Sequence, residues 1–232
     1  MPRDRRRRNE DEPPPLPSER KPKGLHWLAI VGILFGGTVI LALFAFAAAL
    51  ELGYIADSAL RRGDDVPKRI VEQLREEVLG ADETVEWFYS TAVTNILEDG
   101  NLLTNERVVS YWNDDGELYL DATALDDVRA IRVQFSDEWL TDTELWVWSD
   151  AWFDADEEAY SVFLYLSNED GRDHDFVRDL VSAARRADAD LVSVEVGGDV
   201  TEREIDEIPG ATRYSGDDWS AQPDALLDQG DR

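Results

Sequence analysis

The chain has 232 residues with 51 Asp and Glu, 23 Lys and Arg, and a formal net charge of −28. Up to Ile55 there are eight basic and six acidic residues; the remaining 15 and 45 lie beyond it, leaving −30 on residues 56–232. So negative a field repels phosphate backbones and anionic headgroups, which argues against nucleic-acid binding, and the absence of cysteine excludes disulfides, thiolate metal sites and a Cys nucleophile.

The basic residues are mostly Arg, with Lys at 21, 23 and 68 alone. Heavy Asp use with little Lys either suits a surface hydrated in high salt or reflects a compositional bias. Residues 1–24 hold an Arg run (Arg5 to Arg8) and the stretch Pro13, Pro14, Pro15, Pro17. With little to bury, this predicts a disordered tail.

Between Lys23 and Glu51 no charged residue occurs. Those 27 residues extend about 40 Å as a helix, against roughly 30 Å of bilayer hydrocarbon, so residues 25–55 are expected to span a membrane once. A cleaved signal peptide has a shorter apolar region of about 7–15 residues, which favours retention. Arg5, Arg6, Arg7, Arg8, Arg20, Lys21 and Lys23 precede the span and Arg61, Arg62, Lys68 and Arg69 follow it. The expected location is therefore the cytoplasmic (inner) membrane, N-terminus inside and C-terminal domain outside. Gly32 and Gly36 form a GxxxG that lets two helices approach, a candidate homodimer contact.

Val66, Ile70, Leu74 and Val78 recur at helical spacing, predicting an amphipathic connector within 56–83. From Thr84 the period changes to that of strands, read at 84–90, 92–97, 101–104, 107–112, 117–121, 128–135, 143–149 and 160–166. Turns are expected at Glu98-Asp99-Gly100, Asn113 to Gly116 and Asn168 to Gly171. A helix follows, capped by Asp173 or Asp175, with Phe176, Val177, Leu180, Val181 and Ala184 on one face. Residues 191–232 read as an acidic, mostly disordered tail, with 191–196 able to add an edge strand.

The segment from Ile96 to Ile131, then TELWVWS, YSVFLYL and FVRDLVSAAR, resembles bacterial pleckstrin-homology-like (PH-like) domains. LLTNERVVSYW looks like the "Leu-Thr-x-x-Arg-Val" strand entry, and Leu125 to Val128 like the "Leu-Asp-Asp-Val" step. The resemblance covers about 84–188, within an expected domain of 84–190. It implies an α+β, mostly β fold: a curved antiparallel sheet or barrel of about seven strands, capped by a C-terminal helix. It also implies a binding or scaffolding module, not an enzyme. Lipid-binding members hold phosphates with basic residues around an early hairpin. Here the hairpins carry Glu98, Asp99, Asp114, Asp115 and Glu117, with Arg107 alone nearby, so that activity is not carried over.

His26 and His174 lack a serine or metal-ligand context, and no glycine-rich phosphate loop occurs. Asp150, Asp154, Asp156, Glu157 and Glu158 form the densest acidic cluster, able to hold Ca²⁺ or Mg²⁺ weakly, without the EF-hand spacing. Trp139, Trp146, Trp148, Trp152 and Phe153 fall within fifteen residues. Alternation puts Leu145 and Val147 on one strand face and Trp146 and Trp148 on the other. The aromatic set either packs under the helix or the following loop, or forms a contact surface for a partner. The expectation is thus a non-catalytic, single-pass membrane protein without a cofactor. Its acidic domain binds an unidentified protein partner. The rival classes are an envelope ligand or cation sensor and an extracytoplasmic hydrolase.

Overall fold

The computed structural model describes residues 25–51, 59–92, 95–138, 141–149, 161–221 and 223. Leu25–Glu51 form one α-helix, α1, and Ala29–Ala49 within it is long and apolar enough to cross a membrane. The apolar side chains described there, from Ile33 and Phe35 to Phe44, are exposed on every side of the helix.

The rest folds as two five-stranded sheets. The first comprises β1 (Arg61–Arg62), β2 (Val85–Tyr89), β3 (Asp99–Thr104), β4 (Arg107–Asp114) and β5 (Glu117–Ala124), antiparallel and in sequence order. The second contains β6 (Val128–Phe135), β7 (Thr143–Ser149), β8 (Ser161–Leu166), β9 (Ser193–Gly198) and β10 (Thr212–Arg213), in the order β10-β9-β6-β7-β8. Three helices accompany them: α2 (Lys68–Glu77), α3 (Arg172–Arg186) and α4 (Glu202–Glu207). A four-stranded meander (β2–β5), a three-stranded meander (β6–β8) and a helix packed between the sheets form a PH-like arrangement within an α+β, mostly β chain.

Alternation builds the main core. Leu103 and Val108 of the first sheet meet Ile131, Val133, Leu145, Val147, Val162 and Leu164 of the second, and α3 inserts Phe176, Val177, Leu180 and Val181. Trp87 meets Phe176 edge to face at 6.2 Å.

Several expectations need correction. The expected amphipathic connector helix does not fill the described part of 56–83. Leu60 is fully buried, β1 and a 3-10 turn at Gly63–Asp65 follow, and the helix is confined to Lys68–Glu77. Its stripe of Val66, Ile70, Leu74 and Val78 packs on the far face of the first sheet against Phe88, Leu102, Val109 and Tyr111. The domain thus begins near Leu60, not Thr84. The strand expected at 92–97 is absent where described. Asn95 accepts the Leu97 and Glu98 N–H groups, through its side chain at 3.2 Å and its carbonyl at 2.9 Å, and turns the chain.

Gly100 does not serve a turn either. It lies inside β3 beneath Tyr111, whose Oη would sit 2.3 Å from any Cβ there. The turn at 113–116 is as expected: Asp115 (φ 52°) and Gly116 (φ 88°) close a two-residue hairpin between the paired Asp114 and Glu117.

The largest correction concerns the C-terminal region, read as mostly disordered beyond 190. α3 is not the last element: β9 pairs in parallel with β6, inside the sheet between β6 and β10. Val194 and Val196 join the core, which tolerates a parallel strand here because the crossover runs through α3. α4 begins with a capping box in which Thr201 and Glu204 satisfy each other's backbone N–H groups. The expected tail beyond 222 lies outside the described residues, 223 excepted.

Candidate interaction surface

The second sheet's outer face carries Trp146 and Trp148, as the alternation predicts, but neither forms an open surface. Trp148 is 1% exposed and Trp146 8%, packed with Ala130, Phe163, Val192 and Trp219. The chain's own C-terminal segment covers them, and Arg132 holds that segment down. Its Nε and Nη2 donate to Glu195 at 2.7 and 2.6 Å. Its Nη1 lies 3.2, 3.1 and 2.6 Å from the carbonyls of Asp218, Trp219 and Ala221, and the guanidinium stacks 3.9 Å from the Tyr214 ring centre. The expected five-residue aromatic contact surface is therefore corrected for Trp146 and Trp148. Trp139, Trp152 and Phe153 lie outside the described residues, as do Asp150, Asp154, Asp156, Glu157 and Glu158. Gly32 and Gly36 lie on α1 with nothing within 4 Å of a Cβ built at either.

The "Leu-Thr-x-x-Arg-Val" residues serve structure. Glu83, 2% exposed, accepts from the Gly80 N–H (2.6 Å), Thr104 Oγ1 (2.7 Å) and Arg107 Nε and Nη2 (2.7 and 2.9 Å). Burial pushes the Glu83 carboxyl up, but Arg107, Gly80 and Thr104 together hold it below its ordinary 4.5. Arg107 also donates to the Val78 carbonyl at 2.7 Å. Its Nε and Nη2 are thus engaged by Glu83 and Val78.

A polar cleft of about 1000 Å³ opens where β2, the β6–β7 loop and the start of α3 converge. Its groups largely hold the loops. Tyr89 Oη donates to Asp142 at 2.8 Å, and burial and that carboxylate push the phenol far above its ordinary range. Asn168 Nδ2 reaches the carbonyls of Ser136 and Glu138 at 2.7 and 2.9 Å. His174 stacks on Phe135 with ring centres 3.8 Å apart. Asp173, 1% exposed, accepts from Thr143 Oγ1 at 2.6 Å through Oδ2, while Oδ1 has no hydrogen-bond partner. Burial raises its carboxyl above the ordinary value, against the pull of Thr143 and His174.

The open apolar surface lies elsewhere. Among the described residues outside α1, the large apolar side chains left exposed are Trp112, Tyr119 and Leu120 at 40% and Tyr165 at 47%. Three belong to the paired strands β4 and β5, and the fourth to β8, which approaches both. Trp112 and Tyr119 face each other across the hairpin and stack with centres 5.7 Å apart. Among the described residues, β5 and β8 each end a sheet with no further strand beside them. Sequence reasoning missed this surface. The density of Trp in 139–153 drew attention to a face the fold covers, whereas the signal at Trp112-Tyr119 was cross-strand pairing about a predicted turn.

No family model matches the chain, and no curated protein does. Among solved structures it is similar to a DUF1696-family protein with a pleckstrin-homology domain from Shewanella loihica. The two are 16% identical with a TM-score of 0.35, over 53% of this chain and 93% of that one. A pleckstrin-homology domain from Shewanella amazonensis (14%, TM-score 0.35, 50% and 86%) and the hSac2 domain of human phosphoinositide phosphatase Sac2 (13%, TM-score 0.35, 60% and 92%) are similar at the same level. Strand order and core, not these distant likenesses, make the domain PH-like.

Proposed function

We propose that the chain is a non-catalytic, membrane-tethered interaction protein whose acidic PH-like domain docks a protein partner. The observation that carries this reading is the confinement of the domain's exposed large apolar side chains to adjoining strands, Trp112, Tyr119, Leu120 and Tyr165. Exposed aromatic groups on neighbouring strands favour a binding site over random surface. Membrane attachment falls to α1, in the inner membrane with the domain outside the cytoplasm, on the Lys and Arg excess before the span. A tethered domain needs no lipid affinity of its own, which is consistent with acidic hairpins and an Arg107 paired with Glu83. The hydrogen bonds that tie the cleft's side chains to neighbouring loops favour a structural role there over catalysis.

A photo-crosslinker placed at position 119 in the native membrane tests the docking. A discrete adduct is expected that Trp112→Ser abolishes while the melting transition is unchanged, and that a crosslinker at the exposed Arg203 does not give. Equal labelling from both positions would refute it. Protease access from each side of sealed vesicles tests the orientation.

A further inference from the structure

Resting on that docking reading, the geometry points to the mode of contact: we propose that an extended, Lys- or Arg-bearing segment of the partner adds to the free edge of β5 as a further strand.

The four sheet ends differ in length. β1 and β10 are two residues each, too short to template a strand; β8 has six, and β5 is the longest at eight. The hairpin fixes which backbone groups of β5 are free. With Asp115 and Gly116 both at positive φ, the turn is of type I′, and the flanking pair Asp114–Glu117 exchanges hydrogen bonds. Hydrogen-bonded pairs recur every second residue, at Trp112–Tyr119 and Ser110–Asp121. The N–H and C=O groups of Leu118, Leu120 and Ala122 therefore point away from β4, along the open edge.

The side chains agree with the backbone. Tyr119 and Leu120 are consecutive, so they project from opposite faces of β5, yet both are 40% exposed. A flat partner surface laid on one face reaches only one of them. A strand running along the edge places its alternate side chains beside both. Trp112 widens the contact on the Tyr119 face.

Charge selects the occupant. β5 carries Glu117 and Asp121, and its turn carries Asp114 and Asp115. A second copy of β5 would bring the same carboxylates against one another, within a domain of −30. A basic segment meets the opposite field.

The test uses the full chain in phosphatidylcholine nanodiscs, an alternating lysine–valine octapeptide as probe, its glutamate–valine counterpart, and residue-resolved amide hydrogen exchange. Exchange at Leu118, Leu120 and Ala122 is expected to slow about tenfold or more on binding. Tyr119 and Asp121, already donating to β4, should change little. The lysine peptide should bind at least about tenfold more tightly than the glutamate peptide, with the difference shrinking in high salt. Ala122→Pro removes one outward N–H while sparing the β4 pairing and should weaken binding about fivefold. Protection that misses these three amides, or equal binding of the two peptides, overturns strand addition; if Ala122→Pro does not fold, exchange in the unmodified chain decides. The docking reading fails separately, when Trp112→Ser leaves the crosslinked adduct intact.

Discussion

Replacing Arg107 by methionine isolates the Glu83 cluster. The substitution keeps most of the apolar stem but removes two of the four hydrogen bonds that Glu83 accepts. It leaves a carboxylate whose side chain is 1% exposed facing only the Gly80 N–H and the Thr104 hydroxyl. Breaking a buried pair from one side costs about 3–5 kcal/mol. The Arg107 side chain is itself 29% exposed, which places the expected loss at the lower end, about 3 kcal/mol. At a urea slope of about 2 kcal/mol/M the unfolding midpoint falls by about 1.5 M. Tryptophan fluorescence of the full chain in micelles follows the transition.

The pH dependence should reverse sign. In the unaltered chain Glu83 is held below 4.5, so its contribution is present above that value and is lost as pH falls through the lower folded value. Without Arg107 the buried carboxylate favours its proton, and the variant regains stability as the pH is lowered. The double variant Glu83→Leu/Arg107→Met should cost only about 1–2 kcal/mol, because no charge is left stranded. A loss below about 1 kcal/mol for Arg107→Met, or a double variant as unstable as the two single changes added together, would refute the reasoning.

Three further outcomes are expected. Burial holds Asp173 above its ordinary 3.8, so its contribution is fully present below that value and is lost as pH rises through the folded value. Asp173→Asn should flatten this component above its ordinary 3.8 and be at least as stable at neutrality, measured as midpoint against pH. Gly100→Ala drives a Cβ to 2.3 Å from Tyr111 Oη and disturbs the hydrogen bond that Tyr111 donates to the Ile96 carbonyl at 2.6 Å; about 1–3 kcal/mol should be lost in the same melts. Arg132→Met should open protease cleavage within 214–221, and Arg132→Lys should not restore protection, since an ammonium cannot bridge Glu195 and three carbonyls in one plane.

Much of the domain was legible because strand alternation was clean. β6 and β7 begin and end where their apolar periods do, and the Val66-Ile70-Leu74-Val78 stripe faces a sheet as helical spacing requires. What the stripe could not reveal was its partner, because the sheet face it covers is assembled from residues as far along the chain as Tyr111 and Ala122. The C-terminal region misled for a related reason. Between 197 and 218 the Gly and Asp content matches a disordered tail, yet the order there comes from tertiary contacts. Gly198 at φ 79° packs against the Phe135 backbone, Trp219 reaches Gly197, and Arg132 anchors the end from 86 residues away. Composition registers none of these. Gly100 failed in the same way: a glycine kept for close approach looks like one kept for a turn.

The two aromatic groups show how burial, rather than residue type, decides which surface can act. Trp146 and Trp148 need cover because the second sheet has a second apolar face, and the fold supplies it by bringing back its own C-terminal segment. Among the described residues nothing covers Trp112 and Tyr119 in this way, and Tyr119 lies on the end strand of its sheet. Without help an exposed edge of this length is an aggregation hazard. Glu117 and Asp121 blunt it against a second copy of the same strand, while the backbone of Leu118, Leu120 and Ala122 stays open to a segment of opposite charge. In the proposed reading the acidity of the domain is therefore a specificity device at this edge: it suppresses self-pairing and selects a basic partner strand.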